Sequence, residues 1–592
     1  MKSRLSISLF ALVCATSQAQ RDEEWATLNA SVNGRLHSTT PLALPCFSSY
    51  NGNPVAFDDA GCSLIRDNYT TDSIRAASPG GYMNSQSEIC LGEPLDQCLL
   101  DGTAVPALQP SPNTSCNQGS VPSYYIHGQG VSDIRAAFNF SRQHSVPLIV
   151  KNSGHDYMTR NSQKGSLALW VHGLQDLTYH DDFVPEGCSQ SGGRAVTAGT
   201  GASTADIMNF ATQHGSMFVG GYSPDVAASG GWVLGAGHSV LSPVYGLGVD
   251  RVAQFKIVTL DGVLRVVNQC QHEDLFWALR GGGPAFGVVL EATHRVEPRM
   301  PVAVASIRLP PNTTADTSMK WIRLMVSESL NWGRQGWGGH AAGLYLTHVN
   351  PIPAIANITD KTAAQASMRN VTEFALSIGG TSVVEVLPDW IDVWNKYILP
   401  GALATAGTIR LVSSRLLPQQ LFENEAGINK IMDFMSSAQQ LGFDPRQLYV
   451  PVDTPFVVNN SSNSRGFASE KSVHPAWYSA LWHVTLSTFV PWNASYEERL
   501  QNVTALTKAT LLGEELTGTE GGSYLNEADP FTSDWQQSWW GANYPRLVAI
   551  KKKYDPERLL NCWKCVGFED EDILTDRFKC QGKLQQDLYK RT

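Results

Sequence analysis

The feature that most constrains this chain is a set of three glycine clusters between Asn152 and Gly287: the "NSGHD" stretch at Asn152–Asp156, the run from Gly220 to Gly237, and Gly281 to Gly287. Glycine permits positive φ and close approach of a ligand to the backbone. Successive loop N–H groups then form an anion-binding nest. Each cluster adjoins a short apolar run able to form a strand, so the three together favour a large ligand carrying a pyrophosphate. The common nucleotide motifs are absent. "GWVLGAGHS" lacks the G-x-G-x-x-G spacing, and no G-K-[ST] occurs.

The order of elements around these loops predicts an α/β layer. Ser132 can cap a helix with apolar Ile134, Ala137 and Phe138, after which "SVPLIVKN" supplies a strand and the first glycine loop follows. A second round begins at "STADIMNFATQHGSMFVGG", where Ser203 and Asp206 have capping-box spacing and Met217–Val219 form a strand. The two helices end alike, in "NFSRQHS" and "NFATQHG", so two related layers facing one ligand are expected. Alternation on both sides of Asp261-Gly262 predicts a type I′ hairpin over Val252–Asn268.

From about residue 301 the texture changes. "ASIRL", "AAGLYLTHV", "EFALSIGGTSVVEVL" and "ALWHVTLSTFV" read as strands of a larger sheet, separated by helices at Ser318–Asn331 and Tyr496–Leu512. "DWQQSWWGANYPRLVAIKKKYDP" reads as one helix stopped by Asp555-Pro556 and packed back on the first part of the chain. With 592 residues, 42% hydrophobic and 17% charged, the chain can build more than one core.

Residues 1–19, with Lys2 and Arg4 before the apolar Leu5–Ala15 and small residues at Ser17-Gln18-Ala19, read as a secretory signal peptide. Its loss takes the net charge from −10 to about −12. The only basic run is Lys551-Lys552-Lys553, read as a solvated helix face, so neither nucleic acid nor membrane is an expected partner. Cys14 leaves with the signal, and the ten remaining cysteines suit disulfides whose pairing spacing alone does not choose. Cys562-Trp-Lys-Cys565 has no second pair and no histidine at finger spacing, so a disulfide is expected there and no metal site. Sequons at Asn29, Asn68, Asn113, Asn139, Asn312, Asn357, Asn370, Asn459, Asn460, Asn493 and Asn502 predict N-glycans on a secreted product, and their scarcity in the glycine-rich region suggests that it is interior.

Four motifs then carry a resemblance: "VKNSGHDY", "GGWVLGAGHSVLSPVYGLGVD", "FWALRGGGPAFGVVLEATHRV" and "YLNEADPFTSDWQQSWWGANYPRLVAIKKKYDP". Together, in this order, they resemble the FAD-linked oxidases of the vanillyl-alcohol oxidase and para-cresol methylhydroxylase (PCMH) family, in its berberine-bridge-enzyme-like branch. The resemblance runs from about Pro122 to Phe568. It implies an α+β, two-domain PCMH-type fold. Residues 20–120 would form an irregular, disulfide-stapled part of the FAD domain, 121–300 its main body, 301–529 a substrate domain of antiparallel sheet covered by helices, and 530–592 a return to the FAD domain.

The resemblance also implies site residues. Lys151, Asn152, Ser153, Gly154, His155 and Asp156 would wrap the FAD pyrophosphate, with His155 bonded to the flavin 8α-methyl. Some relatives add a cysteine tether, but "GGYSPDVAASGGW" has Ser223 or Pro224 nearest that position and no cysteine, so a single bond through His155 is expected. Gly230, Gly231, Gly235, Gly237, Tyr245, Gly246 and Val249 match a second flavin-binding stretch. His238 within it is either a flavin contact or a packed loop residue.

Tyr524 and Asn526 would meet the isoalloxazine edge. Glu527 departs from the tyrosine often found after that asparagine. His483 falls where relatives carry glutamate, glutamine or tyrosine facing the flavin, and is the candidate base for substrate oxidation. His340, Tyr345 and His348 are weaker candidates, and Trp332, Trp337, Trp390, Trp394 and Trp482 could line a pocket or fill the core. The implied function is a secreted flavin oxidase: hydride passes from an alcohol, sugar or phenolic substrate to FAD, and O₂ becomes H₂O₂. The alternatives are a flavin dehydrogenase, an oxidative cyclase of secondary metabolism, and a non-catalytic FAD-containing glycoprotein.

Overall fold

A computed structural model describes residues 22–110, 114–352, 354–355, 358–401, 406–460 and 468–591. The expected leader at 1–19 lies outside the described residues, as do Asn113 and Asn357. Two sheets carry the first and third glycine loops, while the second follows the short strand Ser216–Met217, which pairs with Glu297–Pro298. The first sheet runs Leu36–Ser38, Tyr124–His127, Leu167–Trp170, Leu148–Lys151, with the last three strands parallel. The crossover from Tyr124–His127 to Leu148–Lys151 is the helix Val131–His144, as parallel pairing requires, and the first glycine loop leaves the strand end at Lys151. The second sheet is antiparallel, in the order Leu264–Asn268, Val252–Val258, Val288–Arg295, Ala195–Gly199, Leu177–His180.

The third sheet has seven antiparallel strands: Thr381–Leu387, Val302–Arg308, Tyr345–Pro351, Gly338–Ala342, Tyr449–Val452, Ala480–Val490, Ile409–Pro418. Side chains alternate between its faces. Ala341, Leu346, Val450 and Val484 join a core with the helices Ala315–Gln335 and Glu425–Gln440, which bring Trp321, Trp332, Ile431 and Phe434. Their neighbours His340, Tyr345, Tyr449 and Thr485 face the opposite way, onto a cavity.

Several local expectations are corrected. The helix expected from Ser132 begins at Val131 with Gly130 at the cap position and no side-chain cap; Asp133 in its first turn accepts from the Gln129 N–H at 2.8 Å and pairs with Arg35. At Ser203 the capping box with Asp206 forms. The Val252–Asn268 hairpin forms, but its turn is not type I′. Only Gly262 takes positive φ (+76°), its N–H bonds to the Thr259 carbonyl, and the Thr259 N–H bonds to the Val263 carbonyl. The loop is therefore three residues, Leu260–Gly262, with glycine in the left-handed position.

"EFALS" is the end of the helix Arg369–Ser377, with Val371 and Ala375 buried one turn apart, and the strand starts only at Thr381. The aromatic-rich helix is broken: Gly541 at φ +53° separates Trp535–Trp540 from Tyr544–Tyr554. Lys551 is buried rather than solvated, donating to Asp555, to the Ala285 carbonyl at 2.6 Å and to the Leu560 carbonyl at 2.9 Å. Those bonds join the C-terminal segment to the third glycine cluster. The early region is less irregular than expected. It contains helices at 22–31 and Asp59–Asn68, and Leu36–Ser38 forms the edge of the first sheet.

The ten cysteines form five disulfides: Cys46–Cys62, Cys90–Cys580, Cys98–Cys116, Cys188–Cys270 and Cys562–Cys565. No helix among the described residues is long and apolar enough to cross a membrane.

Candidate active site

The glycine loops and the exposed face of the seven-stranded sheet enclose a cavity of about 450 Å³. Asn152, Ser153, Gly154, His155 and Asp156 line it, with Ser223, Gly230, Gly231, His238, Tyr524 and Asn526. Gly154 has φ +92°, which lets the loop turn where a side chain would be strained. A Cβ on Gly230 would meet Asn152 Nδ2 at 3.1 Å and Thr200 Oγ1 at 3.3 Å, and one on Gly235 would strike the Asn526 amide at 2.3 Å. Asn526 is held by the Gly231 carbonyl at 3.0 Å, by Arg160 at 2.8 Å and by the Tyr524 hydroxyl at 2.7 Å. Arg160 in turn pairs with Asp156 at 2.8 Å. The first loop, the second and the C-terminal segment thus meet at one amide.

Other residues matched by the resemblance stand behind the wall. Lys151 turns away from the cavity: its ammonium donates to the Ser78 carbonyl at 2.8 Å and lies over the rings of Tyr82 and Trp170, and burial pulls it down to about 7 despite Glu88. Gly237, at φ +76°, packs against the Trp232 ring, and the Val249 N–H bonds to the Ala236 carbonyl at 3.0 Å. The Tyr245 hydroxyl meets Met300 Sδ at 3.0 Å, and Gly246, at φ +87°, closes on Asp250.

The cavity wall fits a large polar ligand. Asn152 Oδ1, His155 Nε2, Arg160 Nη1, Asn161 Oδ1 and Ser223 Oγ are buried there without any hydrogen-bond partner, whereas buried polar atoms are normally satisfied. Burial pulls His155 down to about 4, so at neutral pH its imidazole is uncharged and has a free lone pair. These groups suit FAD: loop amides for the pyrophosphate, an uncharged imidazole for the flavin methyl, and an asparagine amide for the ring edge.

Beyond that cradle, His238, His483 and Glu527 come together with two residues that the sequence did not single out, Asp453 and Tyr222. His238 is held between two carboxylates, its Nδ1 by Asp453 and its Nε2 by Glu527 at 3.1 Å. The Tyr222 hydroxyl donates to Asp453 at 2.8 Å and lies 3.0 Å from His238 Nδ1. His483 closes the ring from behind, 3.7 Å from Asp453 and 3.8 Å from Glu527, fully buried and outside the cavity wall. Burial alone would lower His238, but the two carboxylates outweigh it and raise the imidazole to about 10. Burial opposes ionisation of Asp453 and Glu527, yet His238 holds both below the usual carboxylate range.

His238, His483 and Glu527 offer metal-type donor atoms within 4.8 Å of one another, but both nitrogens of His238 are already committed to carboxylates. His340 and Tyr345 line the cavity, whereas His348 is buried against the Trp332 ring and does not. Trp332, Trp337, Trp390, Trp394 and Trp482 are all core residues.

Asp453 and Tyr449 lie in "YVPVD", an unremarkable strand, and no spacing rule singles them out. Tyr222 stands inside the glycine-rich "GGYSPD" stretch, where a bulky residue among glycines was the available signal.

Comparison with known proteins agrees with this architecture. Residues 122–268 match the FAD binding domain family and residues 523–563 the berberine and berberine-like family. The chain is 39% identical to the FAD-linked oxidoreductase ffsJ of Aspergillus flavipes, covering 96% of this chain and 95% of that protein. It is 36% identical to the FAD-linked oxidoreductase OXR2 of Pyricularia oryzae, over 99% and 100%. Among solved structures, the VAO-type flavoprotein MtVAO615 of Myceliophthora thermophila superposes with a TM-score of 0.78 at 27% identity, covering 92% of this chain and 95% of that one. With these loops, this wall and this extent of likeness, the chain belongs to the FAD-linked oxidoreductases of the vanillyl-alcohol-oxidase type, with a berberine-like C-terminal segment.

Proposed function

We propose that this FAD-dependent oxidoreductase is a secreted oxidase that holds its cofactor through one covalent bond from His155 and oxidises a C–H bond of an alcohol, sugar or phenolic substrate. His155 carries the reading: an uncharged, unpartnered imidazole on the cavity wall, beside Ser223 rather than a cysteine. Bound FAD supplies the hydride acceptor and the route by which O₂ becomes hydrogen peroxide.

The chain's own task is to bind, orient and take up a proton. Residues 20–300 with 530–592 form the cofactor unit in this reading, and 301–529 the substrate unit.

Glu527 is the proton acceptor. Its carboxylate reaches the cavity, with 21% of the side chain exposed, and His238 keeps it ionised. His483 is then a positioning residue rather than the base, because it is sealed behind Glu527 and Asp453. Tyr222 stays a neutral donor, since burial and Asp453 push its hydroxyl well above the ordinary tyrosine range. Secretion is supported by the five disulfides and by exposed sequon asparagines at positions 139, 312, 370 and 493.

The test joins two measurements. Acid precipitation of the holoenzyme should leave yellow flavin on a peptide containing His155, and H155A should release it. A peroxide assay over alcohols, sugars and phenols should find a substrate for which E527Q, with flavin intact, slows flavin reduction about 10²-fold or more. Free flavin from the wild type would sink the linkage, and wild-type reduction rates in E527Q would sink the acceptor. Reduced flavin that does not reoxidise in air would make the protein a dehydrogenase.

A further inference from the structure

Two arginines lie on the cavity wall, and they differ. Arg160 is occupied by Asp156 and Asn526. Arg410 is not: its Nε is buried without a partner, and among the described residues its guanidinium has neither an ion pair nor a hydrogen-bond acceptor. The residue is nevertheless fixed in place. Gln86 accepts from its backbone N–H at 3.0 Å and donates to its carbonyl at 2.6 Å, so the end of the strand Ile409–Pro418 is clamped. The guanidinium carbon stands 5.8 Å from the Tyr157 ring and 5.5 Å from that of Phe489. Phe489 is 47% exposed, so this pair marks the mouth of the cavity. Tyr345 and Tyr449 continue the same wall inward, and burial pushes both hydroxyls up, which leaves them as donors at neutral pH.

A guanidinium is a planar fork matched to two coplanar oxygens, and a buried donor left unpaired costs about 1–3 kcal/mol. The aromatic flanks suit an apolar or aromatic body attached to the anion. We propose that Arg410 is the anchor for a carboxylate on the substrate, which therefore belongs to the class of carboxylic acids with an aromatic or extended apolar body. This rests on the oxidase reading above for the word substrate, but the site itself is tested by binding.

The experiment is a titration of holoenzyme with benzoate, hexanoate and neutral benzamide, following the visible flavin spectrum and the melting temperature. Benzoate or hexanoate should give a saturable change, with benzamide about tenfold weaker or more, a gap of about 1.4 kcal/mol. R410M should weaken the carboxylates by a similar factor without moving benzamide, and R410K should recover part of the loss. Unchanged flavin content and melting temperature in R410M would establish that it folds. Equal binding of benzoate and benzamide, no response to either carboxylate, or unaltered carboxylate binding in R410M would overturn the assignment. An R410M protein that loses flavin would overturn it too, by giving the arginine to the cofactor. A failure to produce peroxide would leave this readout untouched, so the two proposals fail separately.

Discussion

A carboxylate at position 453 faces two imidazoles at once, and its substitution reaches furthest into the site. Asp453 is fully buried, pairs with His238 and accepts from Tyr222, so D453N should cost about 3–5 kcal/mol, as does removal of one partner from a buried pair. The pH dependence follows from the signs. His238 is raised from 6.5 to about 10, so its contribution is complete below 6.5 and is lost as pH rises through about 10. Asp453 and Glu527 are depressed from 3.8 and 4.5, so theirs is present above those values and is lost as pH falls below them. Wild-type melting temperature should therefore fall progressively as pH rises from about 6.5 to about 10, the interval over which the folded protein keeps the His238 proton that the unfolded chain has lost. D453N should melt lower at pH 7 and show a shallower alkaline fall; a D453N profile parallel to wild type would refute the pairing. The sequence pointed to His238, His483 and Glu527 one at a time, but not to Asp453 or to the pairing. Asp453 and Glu527 are remote in the chain, and only packing makes them neighbours of one histidine.

At the scale of elements, periodicity served well where one rule governed and poorly where two competed. The Ser203–Asp206 capping box was readable because both partners lie within one helical turn. S203A should cost about 1 kcal/mol in thermal or denaturant unfolding. The Asp261-Gly262 turn was right in place and wrong in type, because a two-residue and a three-residue loop share the same glycine signal. Gly262 alone needs positive φ, so G262A should cost about 1–2 kcal/mol while G262N, which tolerates that region, costs less. Equal losses for the two variants would refute the turn assignment. The long aromatic helix is broken by a local pair of signals, Gly541 at φ +53° after the first segment and Pro545 in the first turn of the second. A Cβ on Gly541 would also meet His474 Nε2 at 2.8 Å.

Across the whole molecule, chain ends are tied to the centre. Cys90–Cys580 spans 490 residues and Cys562–Cys565 only three. Arg499 reinforces the first tie, donating to the Cys90 and Leu91 carbonyls at 3.3 Å. Because a cross-link restricts the unfolded chain more when it closes a longer loop, C90S/C580S should lower the melting temperature clearly more than C562S/C565S. Comparable losses would show that local strain relief rather than loop closure dominates. The same architecture brings residues 152–156, 230–232 and His238, and Tyr524, Asn526 and Glu527 to one cavity beneath strands that supply His340, Tyr345, Tyr449 and Thr485.

The sequence by itself determined the cofactor loops, because glycine placement, capping boxes and strand alternation act over a few residues and leave a local signature. Its motifs carry the family, and they include His155 and Asn526, which the fold places on the cavity wall. Only the tertiary structure decided which side chains face the ligand. It turned Lys151 away, sealed His483 behind Glu527, buried Lys551, joined Asp453 to His238, and left Arg410 on the cavity wall without an ion pair among the described residues. Those outcomes depend on burial and on long-range pairing of charges, which are properties of the assembled interior and not of any short stretch of chain.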